Sequence, residues 1–391
     1  MDILKLRDIK DWLVDGARSA ATPSQMMSEC CDRLVGLGVP VWRVGVFVRT
    51  LHPDIAGRSF IWRQGAEVEM GAVDFGFEST PAFRDSPLAR VFEQGTEFRA
   101  DPRDREAELF PILMDLRAEG VTDYFTLPLT FIDRAVHASS WTTKSPTGFT
   151  EAHLNAIRSL MPALARYTEI VTLRRTASML LDTYVGNSAG ERILGGQIRR
   201  GHTDTLDAAI WLSDLRGFTP LSDRLPAEDV VAILNHYFDC QVDPIREQGG
   251  EVLKFMGDGL LAVFPFGEQG GDRTEVCARV LAAARASRAR VDALEYAAGG
   301  TGERFRFGVA LHVGRLLYGN IGGGNRLDFT CIGPAVNLAA RLEKIAARLS
   351  RTVVASETFA GACAEPWTDL GAFPIAGLAT EQRVFGLREE D

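Results

Sequence analysis

No run in the 391-residue sequence approaches the roughly 18 to 20 consecutive apolar residues that a helix needs to cross a bilayer. The first residues, MDILKLRDIKDWL, break their apolar positions with charges and lack the apolar core and cleavage site of a secretory leader, so a cytoplasmic location is expected. Cysteine is scarce. Cys30, Cys31, Cys240, Cys277, Cys331 and Cys363 show neither a C-x-x-C motif nor Cys/His zinc spacing, which excludes a disulfide scaffold and a structural zinc cluster. Basic residues are in deficit, with 43 Lys and Arg against 52 Asp and Glu and a net charge of −9. That sign excludes a general affinity for nucleic acid or anionic lipid. The pairs Arg174-Arg175 and Arg199-Arg200 read as decoration of exposed helical faces.

What remains is the composition of an ordinary globular protein, 46% apolar and 24% charged. The length exceeds what one core organises, which implies two domains and a connector. Residues 1–150 read as mixed α and β. After a helix through SQMMSECCDRLVGL come the strand-like segments VWRVGVFVRTL, RSFIWRQ, AEVEM, TDYFTLPLTFI and VHASSWTT, separated by Gly, Pro and Asp. An antiparallel sheet with helices around it follows. In element order, and in its place ahead of an effector domain, this region resembles a GAF-type sensory domain, which implies a small ligand or effector held against the sheet. Trp62, His52 and Trp141 are candidates to line such a pocket, and core packing of strand aromatics is the preferred alternative.

From Thr150 the pattern turns helical. Ile157, Leu160, Leu164, Tyr167 and Val171 recur at spacings of three and four, a seam suited either to pairing with a second copy or to packing on its own domain. Arg174 interrupts the seam. Leu173, Ala177, Leu180 and Tyr184 resume it in a shifted phase, and Pro162 predicts a kink or break. Residues 181–201, LDTYVGNSAGERILGGQIRRG, read as a jointed connector, so residues 151–204 form a helical dimerisation and transducer segment.

Residues 205–391 change character again. LDAAIWLSDL reads as a strand, PAEDVVAILNHYFDCQVDPIREQ as a helix, GEVLKFMGDGLLAVFP as a hairpin and residues 274–296 as a helix. Strands RFRFGVALHVG, RLLYGNIG and RLDFTCIG, the helix AVNLAARLEKIAARL and the strand TVVAS follow. Strand, helix, hairpin, helix, strand is a ferredoxin-like order, so the fold class is α+β, with helices expected on one face of an antiparallel-rich sheet.

Within that topology Asp214 closes the first strand and Asp258 sits at the hairpin turn, on neighbouring strands. Bare carboxylates about 4 Å apart repel by roughly 4 kcal/mol at an effective dielectric near 20, so a converging pair requires a proton or a cation. Two oxygen donors with room for water and phosphate suit Mg²⁺. Asn337 and Arg341 are four apart in GPAVNLAARLE and project from one helical face, where an amide and a guanidinium can hold a sugar oxygen and a phosphate. The loop YGNIGGGNRLDFTCIG just upstream offers glycine-rich backbone for close approach to a ligand.

The three segments SDLRGFT, LKFMGDGLLAVF and DFTCIGPAVNLAARLE resemble, in order and spacing, the class III nucleotidyl cyclase catalytic domain, over roughly residues 205 to 387. The resemblance implies that Asp214 and Asp258 bind two Mg²⁺ or Mn²⁺ ions, with the backbone around Leu215, Gly217, Phe218 and Thr219 cradling metal and phosphates. It further implies that Asn337 orients the ribose and that Arg341 stabilises charge at the α-phosphate. The base-reading positions fall on Lys254 and Thr330, and a lysine donor beside a hydroxyl suits the N1 and 6-amino edge of adenine. Cyclases acting on GTP typically carry an acid at the first position and often a cysteine at the second; Cys331 is one place off. The expected activity is therefore adenylate cyclase, ATP to 3′,5′-cyclic AMP and pyrophosphate. A guanylate cyclase and a catalytically silent nucleotide-binding regulator are the alternatives. Because the family divides these residues between two subunits, a symmetric homodimer is implied. One departure stands out: a late lysine that contacts the triphosphate in many members is replaced, with Ala376 and Leu378 at the candidate positions. Arg351 or Arg348 is the substitute considered.

Overall fold

The computed structural model describes residues 2–267, 270–298, 301–324, 326–375 and 377–390. They fall into two compact units, Met1–Leu180 and Leu181–Asp391.

The first unit contains helices α1 (Ile3–Val14), α2 (Pro23–Gly36), α3 (Pro81–Arg84), α4 (Pro87–Gln94) and α5 (Pro111–Ala118). Its strands are β1 (Arg43–Arg49), β2 (Ile55–Arg63), β3 (Glu69–Asp74), β4 (Phe98–Ala100), β5 (Asp123–Thr130) and β6 (Val136–Thr143). They form one antiparallel sheet in the order β3-β2-β1-β6-β5-β4. The period of two selects one face for the core. Val44, Val46 and Val48 of β1 and Phe125, Leu127 and Leu129 of β5 pack against Met26, Cys30 and Leu34 of α2. Trp62 and Trp141 are buried in this same core, so they are packing residues rather than the lining of a pocket. Thr22, Thr80 and Ser86 cap α2, α3 and α4, each just before a helix-starting proline.

Helix α6 (Glu151–Val185) runs for 35 residues without a break at Pro162. Pro162 lies on the exposed side, where water can take up the carbonyl that the missing N–H leaves free. Of the two readings of the seam, Ile157, Leu160 and Leu164 follow the second: they are buried in the core of their own unit. Apolar side chains left exposed on this helix lie further on, at Ile170, Leu173 and Tyr184.

The second unit begins with the end of α6 and α7 (Asn187–Leu194). Its helices are α8 (Phe218–Ser222), α9 (Ala227–Glu247), α10 (Arg273–Asp292), α11 (Pro334–Leu349) and α12 (Glu357–Ala360). Its strands are β7 (Thr203–Leu215), β8 (Glu251–Met256), β9 (Gly259–Pro265), β10 (Glu295–Ala298), β11 (Thr301–Arg304), β12 (Phe307–Gly323), β13 (Arg326–Ile332), β14 (Val353–Ser356), β15 (Trp367–Phe373) and β16 (Gln382–Leu387). The main sheet runs β15-β16-β14-β12-β7-β9-β8, with β13 paired to β12. Its β12-β7-β9-β8 portion is antiparallel throughout, the arrangement the ferredoxin-like order predicts. Two strands expected upstream of β13 are a single long one, β12, paired with β7 from Phe307↔Leu215 to Gly319↔Thr203.

Helices cover both faces of this sheet, not one. Ala209, Trp211 and Leu215 of β7 pack with Tyr237 of α9 and Val280 of α10, whereas Ala208, Ile210 and Leu212 pack with Ala335 and Ala339 of α11. The glycine-rich connector is partly docked on that second face. Ala189 of α7 is fully buried there, Ser188 N donates to Glu251 Oε1 at 3.1 Å, and Asn320 Nδ2 donates to the Gln197 carbonyl at 2.7 Å.

In the first unit, Asp123 is buried and accepts from Arg99 Nε at 3.2 Å, Arg99 Nη2 at 2.7 Å and Phe149 N at 2.8 Å. Removing it takes a two-point acceptor from Arg99, which keeps the Phe149 carbonyl and Glu151, and leaves the Phe149 amide unpaired. Asp123→Ala is expected to destabilise this unit by roughly 3 kcal/mol, read as lost hydrogen-exchange protection along β4 and β5. Unchanged protection there would contradict the account.

Candidate active site

Alternation along β7 decides where Asp214 points. It shares the face of Ala208, Ile210 and Leu212, the α11 side, while Leu215 turns into the core under α9 and α10. Only the backbone of Leu215 is thereby available to a ligand. Strand β9 pairs Leu260 with Ser213, so the β8–β9 turn overhangs the end of β7. Gly257 takes the left-handed conformation that the turn demands, at φ 67°, and Asp258 follows it. Gly259 keeps the approach open: a Cβ there would lie 3.1 Å from the Ser213 carbonyl and 3.7 Å from Asp214 Oδ1.

The two carboxyls lie close enough that the charge of Asp258 acts on Asp214, and a pair so placed needs a proton or a cation between them. Burial pushes the Asp214 carboxyl up to about 7, helped by the charge and hydrogen bond of Asp258 and the charge of Glu343, and opposed by Arg216. A pair that must share a proton is also a pair that a divalent cation would discharge, and oxygen-only donors fit Mg²⁺ or Mn²⁺. Among the described residues no cluster of three or more His, Cys, Asp or Glu forms a metal site. Asp214 and Asp258 would therefore hold such ions as a two-carboxylate set, with backbone, water or substrate oxygens completing the shell.

Arg216, two residues beyond Asp214, is fixed by its backbone N–H to the Arg306 carbonyl at 2.7 Å. Its guanidinium lies over Gly308, the residue directly across from Asp214, where any Cβ would overlap it. Nη1 donates to Oε1 of Glu343, a buried residue of α11.

Asn337 and Arg341 lie on α11 as the spacing predicts. Asn337 is exposed, and Arg341 faces Gly377, whose Cβ, if present, would be 3.6 Å from Nη1. Arg341 is two positions from Glu343, about 160° around the helix, so the Asn337/Arg341 face points away from the side tied to Arg216. Within one chain the carboxylate pair and the amide–guanidinium pair face apart. Arg351 follows the left-handed cap Ser350 that ends α11, and Arg348 is on its last turn. Leu378 is exposed, and Ala376 lies outside the described residues.

Lys254 of β8 forms an ion pair with Asp328 of β13. Asp328 and Thr330 are two apart on the strand, so Lys254, Asp328 and Thr330 share one side. Phe255, Met256, Leu327 and Ile332 of the same two strands are exposed. Gly217 has φ 73° and starts α8, and Phe218 and Thr219 form its first residues beside the Asp214 strand end. Sequence reasoning passed over Asp328, Arg216 and Glu343. The signal for the first was its place two residues before Thr330; the ion pair joins positions 127 residues apart and leaves no local trace.

In the first unit, a cleft of about 610 Å³ opens beside β4 and β5, lined by Arg90, Arg99, Arg103, Asp101 and Asp123 among others. His52, Trp62 and Trp141 are not part of it. No described helix is long and apolar enough to cross a membrane.

The family model of the adenylate and guanylate cyclase catalytic domain matches residues 202–364. The terminal-differentiation specific adenylate cyclase of Dictyostelium discoideum is 33% identical over 141 residues, 35% of this chain and 6% of that protein. An adenylate cyclase of Anabaena cylindrica is 29% identical over 162 residues, 41% of this chain and 32% of that protein. The chain thus spans a third or less of these relatives. Among solved structures, the adenylyl cyclase CyaB from P. aeruginosa aligns with a TM-score of 0.41 and 25% identity, over 47% of this chain and 95% of that one. Residues 202–364 form a class III adenylate and guanylate cyclase catalytic domain.

Proposed function

We propose that the chain is an adenylate cyclase, converting ATP to 3′,5′-cyclic AMP and pyrophosphate in sites shared between two copies. The observation that carries the reading is the meeting of Asp214 and Asp258 at the end of β7. Both curated relatives named above are adenylate cyclases by name, which supports ATP as substrate.

In this reading the ribose 3′ oxygen bonds to the α-phosphorus, the bond from that phosphorus to the bridging oxygen breaks, pyrophosphate leaves and the hydroxyl proton passes to solvent. Bound Mg²⁺ or Mn²⁺ would supply charge neutralisation at the phosphates and acidify the attacking hydroxyl. Asp214 and Asp258 hold that charge at a fixed place. The backbone turn from Leu215 through Gly217, Phe218 and Thr219 lies where phosphate oxygens would rest. Lys254 donates to N1 of adenine and Thr330 accepts from its 6-amino group. Asn337 orients the ribose, and Arg341 stabilises the negative charge that builds at the α-phosphate. Arg351, just past the end of α11, is the candidate contact to the triphosphate in place of the missing late lysine.

The homodimer is supported by the opposed faces of α11: the carboxylates of one chain need the Asn337/Arg341 face of another. Exposed Phe255, Met256, Leu327 and Ile332 on β8 and β13 are apolar surface available to that partner. The first unit is read as a GAF-like sensory domain, supported by its own core and its six-stranded antiparallel sheet. Its charged cleft suits a polar effector better than an apolar one. Residues 151–204 are read as the transducer, and the whole as cytoplasmic.

Purified protein incubated with ATP or GTP and either Mg²⁺ or Mn²⁺ is expected to form cyclic AMP from ATP, identified by chromatography. Cyclic GMP as the main product would favour the guanylate alternative, and nucleotide binding without turnover the silent regulator. Asp258→Ala should lower turnover by at least about a thousandfold, and Lys254→Glu should depress kcat/KM for ATP by roughly 10- to 100-fold. Cyclic AMP formation undiminished in both variants would refute the site.

Mixing tests the shared site. Asp258→Ala and Arg341→Ala chains are each expected to be inactive alone, yet a refolded equimolar mixture should recover about a quarter of wild-type activity, since half the dimers are mixed and each has one complete site. A mixture as inactive as its components would rule out complementation.

The proton on the carboxylate pair gives a pH prediction. Asp214 titrates near 3.8 when unfolded and near 7 when folded. Between those values the folded state holds the extra proton, so this group's contribution is fully present below about pH 4 and is lost as pH rises through about 7. The metal-free protein should therefore lose more thermal stability from about pH 5 to 7.5 than Asp214→Asn does. Added Mn²⁺ should reverse the difference. Equal pH profiles for the two proteins would remove the shared proton from the account.

A further inference from the structure

Arg216 and Asp214 stand two apart at the end of β7 and share a face, and the Arg216 guanidinium lies over Gly308, directly across from Asp214. A guanidinium in that position has two carboxylate destinations. One is Glu343 of α11, to which Nη1 donates; the other is Asp214, across the ladder from the glycine that the guanidinium covers. Nη2 is buried with no hydrogen-bond partner, so the group retains donor capacity on the β7–β12 side. Planar bidentate pairing with a carboxylate is what guanidinium does best. An arginine that turned to Asp214 would satisfy the carboxylate pair and take the place of a cation. As a source of stability alone, a largely buried ion pair does no more than apolar side chains of the same volume.

We infer that Glu343 is a positioning residue that holds the Arg216 guanidinium off Asp214 and so keeps the Asp214–Asp258 pair open to divalent cations. The inference rests on the reading of that pair as cation ligands. Its chemistry is a competition between one fixed organic cation and a mobile inorganic one for the same oxygens. Glu343 decides the competition from the opposite side of the arginine, without touching ion or nucleotide. The two single variants therefore differ in direction. Without Glu343, Arg216 is released toward Asp214. Without Arg216, nothing is left to invade the pair, although Glu343 loses its partner.

Mn²⁺ binding to the full chain, measured without nucleotide by the electron paramagnetic resonance of the free ion, separates these cases. Glu343→Gln is expected to weaken Mn²⁺ binding by at least about tenfold. Arg216→Met should bind at least as tightly as wild type, and the double variant should return to within about threefold of it. In turnover, Glu343→Gln should raise the Mn²⁺ concentration for half-maximal rate while leaving kcat at saturating metal close to wild type. A purely structural pair would weaken both single variants alike, and that result overturns the inference, as does a double variant no better than Glu343→Gln. If wild type and Asp258→Ala bind Mn²⁺ equally, the reading of the carboxylate pair fails, and the inference with it, before any Arg216 or Glu343 variant is compared.

Discussion

Two carboxyls brought together at the end of one strand cannot both be charged without a counter-charge, and much of the second unit is arranged around that constraint. Strand β7 carries Asp214 to the sheet's edge in the chain direction, and the β8–β9 turn delivers Asp258 over it. Burial then makes the repulsion count, because the field between the two oxygens is screened less than in water. The consequence is an Asp214 carboxyl pushed up to about 7. A proton, a guanidinium and a divalent ion are three ways of discharging the same pair, and the surroundings decide among them.

Those surroundings depend on which face of β7 is which. The strand is apolar on both sides, Trp211 and Leu215 under α9 and α10, Ile210 and Leu212 under α11 and α7. A strand so enclosed cannot slip by one residue without exchanging a tryptophan for Asp214, so the register that fixes the core also fixes the carboxylate. The same double burial explains why helices lie on both faces. The run AAIWLSDL, apolar without alternation, carried that information in the sequence.

The elements legible in advance were those with a local cause. The hairpin around KFMGDG was legible because Gly257 and Asp258 interrupt two apolar runs with turn chemistry, and α11 because Asn337 and Arg341 fall on one face of a strong helix former. Thr80-Pro81 and Ser86-Pro87 mark the starts of α3 and α4 through a capping hydroxyl before proline. Other features were decided at long range. Ile157, Leu160 and Leu164 show the spacing of a pairing seam, and nothing local reveals that a sheet in the same unit buries them first. Pro162 should end a helix by its own chemistry, yet the buried residues on either side hold α6 through it. Arg216 and Glu343 could be paired only by folding.

Helix α11 therefore has two occupations that cannot be separated. Through Glu343 it grips the arginine beside one carboxylate pair; Arg341 and Asn337, about 160° and 120° around its axis from Glu343, face away. If a second copy completes each site, the helix that guards the metal side of one site is also the helix that presents ribose and phosphate contacts to the other. A shift of α11 along or about its axis would then alter both sites at once, because a packed helix moves as a rigid element rather than residue by residue. Ala335, Ala339, Leu342 and Ala346 bury its inner face without polar contacts, which leaves the Glu343–Arg216 pair as a directional tie between that helix and the β7 end. An ion pair suits this task better than an apolar contact. It fixes an angle as well as a distance, and the position of Arg216 relative to Asp214 depends on angle.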